Sequence, residues 1–121
     1  MDRLPLSTRR VEFREDLVVI RVTGEVDLGS APQLALALGG ALPPVTVVDL
    51  TQVAFLAVAG LRVLVAAMRR ASTEGRRFGL VADDRLALRV LRMSGVAASI
   101  PTFESLSDAL RELAAQDTVR D

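Results

Sequence analysis

Hydrophobic positions along the chain alternate between two periods. Residues 11–28, VEFREDLVVIRVTGEVDL, hold two β-branched runs around the polar break Glu15-Asp16, which predicts an N-terminal hairpin or a pair of adjacent strands with Val18, Ile20 and Val22 facing the core. The spacing then becomes helical. Leu34, Leu38 and the alanines between them form an apolar stripe, Ser30 stands three residues before Gln33 as in a capping box, and Gly39-Gly40 closes the segment. After Pro43-Pro44, VTVVDL (45–50) is a continuous apolar run of the kind expected of a strand buried on both faces.

Leu61, Val65, Met68 and Ser72 return to helical spacing over 58–72, with Arg62, Arg69 and Arg70 directed to water and Glu74-Gly75 at the end. RFGLVA (77–82) reads as another buried strand. DDRLALRVLRMSG predicts an amphipathic helix that begins at Asp83 or Asp84 and stops at a left-handed Gly95. SIPTF is a short extended link, and 105–116 is a last helix carried by Leu106, Ala109, Leu110 and Leu113. Strand, strand, helix, strand, helix, strand, helix, helix is the order of a small α/β domain. Its strand–helix–strand units require right-handed crossovers and a mixed, mostly parallel sheet with helices packed on it. No linker or repeat divides 1–121, and 1–10 and 117–121 are expected as flexible ends.

The helix at 58 begins without a cap. A helix start leaves backbone N–H groups without partners, and Ser, Thr, Asp or Asn normally supplies an oxygen to one of them. Ala57, Val58, Ala59 and Gly60 offer none, so the natural anion site of this helix is bare.

Charge and composition narrow the function. The chain has 121 residues, half of them hydrophobic, which suffices for one core; 15 basic residues, all Arg, balance 15 acidic ones. No net field draws nucleic acid or an anionic membrane. Cysteine and histidine are both absent, which removes the thiol nucleophile, the commonest general base and the commonest metal ligand. Asp49 has no second carboxylate near it in sequence and reads as a structural cap. The expectation is therefore a protein with no metal, no cofactor and no catalytic residues. Without a signal-peptide core or a membrane span, it is expected in the cytoplasm. Trp and Tyr are missing too, which leaves Phe55 and the arginines as the available interface anchors.

In this order, three segments resemble the STAS domain, the family of anti-sigma factor antagonists that also caps the cytoplasmic end of sulphate transporters. VTGEVDLGSAPQL (22–34) is similar to the family's second strand and the loop into its first helix, with Gly24, Asp27, Ser30 and Pro32 in the usual pattern. VVDLTQVAFLAVAGLRVL (47–64) resembles its central strand, loop and second helix, and GVAASIPTFESLSDAL (95–110) its tail. The resemblance implies an antagonist that docks on an anti-sigma factor, itself an ATPase-fold serine kinase. The family's regulatory site reads Asp-Ser-Ser-Gly or Asp-Ser-Thr-Gly, with the residue before the glycine phosphorylated. Here Ala59 occupies the acceptor position and cannot carry phosphate. Thr51 is the nearest hydroxyl and the candidate for a substitute acceptor.

The partner-binding residues implied are Asp27, Ser30, Phe55, Leu56, Ala57, Val58, Ala59, Gly60 and Arg62. Each has a plainer alternative. Residues 55–60 also fit a buried loop and helix start, and Asp27 and Ser30 a turn and N-cap; outside this set, the row Arg85, Arg89, Arg92 reads as a solvated helix face, with contact to acidic residues of a partner as the alternative. Two other functions fit the same fold: an accessory subunit that binds a membrane transporter's ATPase, and a small-ligand or nucleotide sensor that uses the bare helix start. A homodimer is compatible with the sequence.

Overall fold

The structure is a computed structural model that describes residues 4–83 and 86–118. The elements run β1 (Ser7–Arg14), β2 (Leu17–Val26), α1 (Ala31–Ala37), β3 (Val45–Leu56), α2 (Val58–Thr73), β4 (Arg77–Val81), α3 (Leu86–Ser94), α4 (Val96–Ser99), β5 (Thr102–Phe103) and α5 (Leu106–Thr118). The strands lie in the sheet in sequence order, with β1 antiparallel to β2 and every other neighbouring pair parallel. The sheet is mixed and mostly parallel, as the pattern of elements required.

Alternation along β2 divides the core in two. Val18, Ile20 and Val22 face the larger layer, where α1, α2, α3 and α4 supply Leu34, Leu64, Leu91 and Val96. Leu17 and Val19 are buried as well, on the opposite face, beneath Ala109 and Leu113 of α5. β2 is thus buried on both faces over its first four residues, beyond the single face expected from Val18, Ile20 and Val22.

Several local expectations change. Residues 7–10, expected in a flexible end, form the first half of β1 and pair from Ser7↔Thr23 to Arg10↔Ile20. β3 has 12 residues and continues through 51–56, a stretch expected as loop, because β2 keeps pairing with it past two register shifts. Residues 96–99 form the short helix α4, and Thr102–Phe103 pair with Leu80 and Val81 as a fifth strand. Gly95 has φ +86° and ends α3 as expected. Asp83 precedes α3, whereas Asp84 and Arg85 lie outside the described residues.

The capping box at α1 is not formed. No side chain caps the helix, and the Gln33 amide donates instead to the Leu6 carbonyl at 3.1 Å. That bond, with Glu25 N–H to Leu4 O at 2.9 Å, ties residues 4–6 across the end of β2. Gly24 makes room for them: a Cβ there would lie 2.1 Å from the Pro5 carbonyl oxygen. Arg70, expected in water, donates through Nη2 to the Leu38 carbonyl and fastens α2 to the end of α1.

Candidate partner-docking site

Ligand and partner sites of parallel α/β sheets gather where the strands end and the chain turns into helices. Here β2 and β3 end side by side at Val26 and Leu56, and the Ala57 N–H donates to the Val26 carbonyl at 2.9 Å, lacing the two turns together.

The first turn is built by Asp27 and Ser30. The Asp27 N–H donates to Ser30 Oγ and the Ser30 N–H to Asp27 Oδ1, each at 2.9 Å. The Ser30 hydroxyl lies 3.0 Å from both the Glu25 carbonyl and Asp27 Oδ1, either of which can take its proton. This reciprocal bonding fixes the turn. Leu28 stands at its tip, 79% exposed. Leu28 is not among the residues expected here; its signal in the sequence is an apolar residue between Asp27 and Gly29 in an otherwise polar turn.

The second turn opens α2. Ala57 is its N-cap and makes no side-chain bond, and the first turn holds no acidic residue, so the bareness expected from the sequence is present in the fold. Val58 is 63% exposed and Phe55 45%. Ala57 and Ala59 are half-buried. Leu56 departs from expectation. It is only 4% exposed, so it belongs to the core and leaves the exposed apolar set to Phe55 and Val58. Gly60 is buried for a steric reason: a Cβ there would meet Val26 Cγ1 at 2.5 Å and Leu56 Cδ1 at 2.9 Å, so only glycine lets α2 approach the two strand ends.

Leu28, Ala57, Val58, Ala59 and Arg62 together line an open groove of about 430 Å³. Its walls are apolar except for the Arg62 guanidinium. Such a surface suits contact with another protein's apolar side chains.

Thr51 lies in β3, away from the helix start. Its N–H and hydroxyl both reach Asp49 Oδ1, at 3.0 and 2.8 Å, beside the register shift opposite Val22. Asp49 is buried and its Oδ2 is 3.9 Å from Arg21 Nε. The pair holds the strand irregularity in place. On α3, Arg89 is exposed and Arg92 pairs with Glu104 at 3.2 Å, while Arg85 lies outside the described residues. Among the described residues no group of three or more His, Cys, Asp or Glu could hold a metal ion, and no helix is long and apolar enough to cross a membrane.

Over residues 8–109 the sequence matches the STAS domain family; the chain belongs to that family. It is 32% identical over 106 residues to the anti-sigma-F factor antagonist RsfB of Mycobacterium tuberculosis, covering 85% of this chain and 86% of that one. Its fold is similar to the crystal structure of an anti-sigma factor antagonist from Mycobacterium paratuberculosis, with a TM-score of 0.82 and 32% identity, over 90% of this chain and 94% of the other. The unphosphorylated form of the antagonist SpoIIAA shares the fold at a TM-score of 0.72 and 17% identity, over 90% of this chain and 97% of that one.

Proposed function

We propose that this protein is an anti-sigma factor antagonist that binds an anti-sigma factor of the ATPase-fold kinase type, acts in the cytoplasm without catalysis, and is not released by phosphorylation at the family's usual position. The observation that carries this reading is the start of α2. There the acceptor position is Ala59, and the open groove around it is lined by Leu28, Ala57 and Val58 with Arg62, while Phe55 is exposed near the end of β3.

A phosphate at a helix N-terminus is stabilised by free N–H groups and the helix dipole, and adds roughly −1.5 to −2 charges to whatever surface surrounds it. In the family's switch that charge would break an apolar contact. With alanine at the acceptor, the surface stays in the binding form whether or not ATP is present. A switch moved to Thr51 would set phosphate oxygens against the Asp49 carboxylate, which the hydroxyl already touches at 2.8 Å; like charges at that distance repel.

The test is to mix the protein with each anti-sigma factor kinase of its own cell, with and without ATP. One of them is expected to bind, with equal affinity in both conditions. The peptide 53–62, which contains no Ser, Thr or Tyr, is expected to carry no phosphate. Failure to bind any of them overturns the reading. Binding that is lost with ATP, with phosphate found on Thr51 or elsewhere, overturns the unswitched part alone.

A further inference from the structure

The outer side of α2 continues the apolar surface. Val58, Leu61, Val65 and Ala66 lie at helical spacing along one wall of a groove of about 460 Å³, and Ser94 and Val96 form the other wall, where Gly95 turns α3 into α4. The groove shares Val58 and Arg62 with the one at the helix start, so the two make a single track.

Its charge has one sign. Arg62 and Arg69 are the charged residues lining the groove, seven residues and so about 10.5 Å apart along the helix. Among the described residues neither has a carboxylate at ion-pair distance, whereas Arg10, Arg14, Arg21, Arg76, Arg92 and Arg111 each meet one. In a chain of zero formal net charge, this is a local excess of unpaired cations beside open apolar surface.

Both walls are helical, so no unpaired strand edge is available to hold an extended peptide by main-chain bonds. The small Ala66 side chain in the wall permits close approach of another helix.

We propose that this groove receives an amphipathic helix of the anti-sigma factor, with apolar side chains seated on Val65 and Ala66 and carboxylates about two turns apart reaching Arg62 and Arg69. The inference rests on the docking reading above and extends it from the start of α2 to its outer side. Apolar burial supplies affinity, and the two ion pairs fix the register of the incoming helix and favour a partner of matching charge.

The absence of cysteine gives a clean test. Ala66→Cys and Val58→Cys each place one benzophenone label, the first in the groove and the second at the helix start. With the anti-sigma factor bound, the label at 66 is expected to cross-link a helical partner segment with Asp or Glu seven residues apart. Arg62→Glu with Arg69→Glu is expected to weaken binding at least tenfold, and exchanging the partner carboxylates for Arg should recover it. If 58 cross-links and 66 does not, and the Arg69→Glu change leaves affinity unaltered, the docking reading stands and the groove inference falls. If the label at 66 reaches only a second copy of this chain, the groove is a self-association surface and the inference falls again. If no anti-sigma factor binds the unlabelled protein at all, both readings fall together.

Discussion

Leu56 and Val58 sit two residues apart and meet opposite surroundings. The β3 backbone turns Leu56 inward against the Gly60 backbone, and the helix start turns Val58 outward. Leu56→Ala is expected to cost about 2–5 kcal/mol of stability in a denaturant titration, since it removes buried methyl groups from a closed core. Val58→Asp should do the reverse to the fold. It puts a carboxylate in the first turn of an uncapped helix, worth about 0.3–1 kcal/mol in favour of the helix, while setting a charge in the proposed contact. Melting temperature should hold or rise while partner affinity falls by a few kcal/mol, as for other desolvated hot-spot positions. A variant that unfolds would return Val58 to the core. The sequence shows both residues as apolar and two positions apart, which in one continuous strand would put them on the same face; they part because β3 gives way to α2 at Ala57, a change that the apolar pattern does not mark. Leu28 was missed for a related reason: one apolar residue in a turn has no periodicity to mark it.

At the scale of elements, what was legible was what repeats. α2 spans four turns with a clear stripe and an absence of capping residues, and it begins at Val58 as read. β5 spans two residues and α4 four, too short for either period to register, and both are held by tertiary contacts instead, such as Leu80 N–H to Pro101 O at 2.9 Å. The α1 capping box failed because the Ser30 hydroxyl has a closer partner in the Asp27 turn, an interaction that the spacing to Gln33 does not reveal. The bare start of α2 can be refitted. Changing Ala57, Val58 and Ala59 to Asp, Ser and Ser supplies a cap, worth ~1 kcal/mol, and an acceptor. The triple variant should melt no lower than the parent, accept phosphate at position 59 from the cognate kinase, and then bind it more weakly. A variant that folds and binds but takes up no phosphate would show that the geometry of the acceptor turn had changed along with its residues.

For the whole molecule, the two faces of the sheet divide the labour. α1 to α4 cover one face and carry the proposed docking surface at its edge, whereas α5 closes the other through Ala109 and Leu113 over Leu17, Val19, Val45, Val47 and Val81. The fit there is close, since a Cβ on Gly79 would lie 2.8 Å from Leu113 Cδ1. The apolar stripe of α5 is legible in the sequence but the face it covers is not, because a helix that follows the last strand can cross to either side of a sheet. This separation has a measurable consequence. Leu113→Ala removes a buried side chain from the α5 layer and should destabilise the protein by about 2–5 kcal/mol. It touches none of Leu28, Val58, Arg62 or Arg69, which lie on the other side of the sheet or at its edge. Well below the variant's melting temperature, its affinity for the anti-sigma factor should match the parent's within about twofold. A large loss of affinity in the folded variant would mean that α5 contributes to the contact, and that the docking surface is not confined to the α2 side.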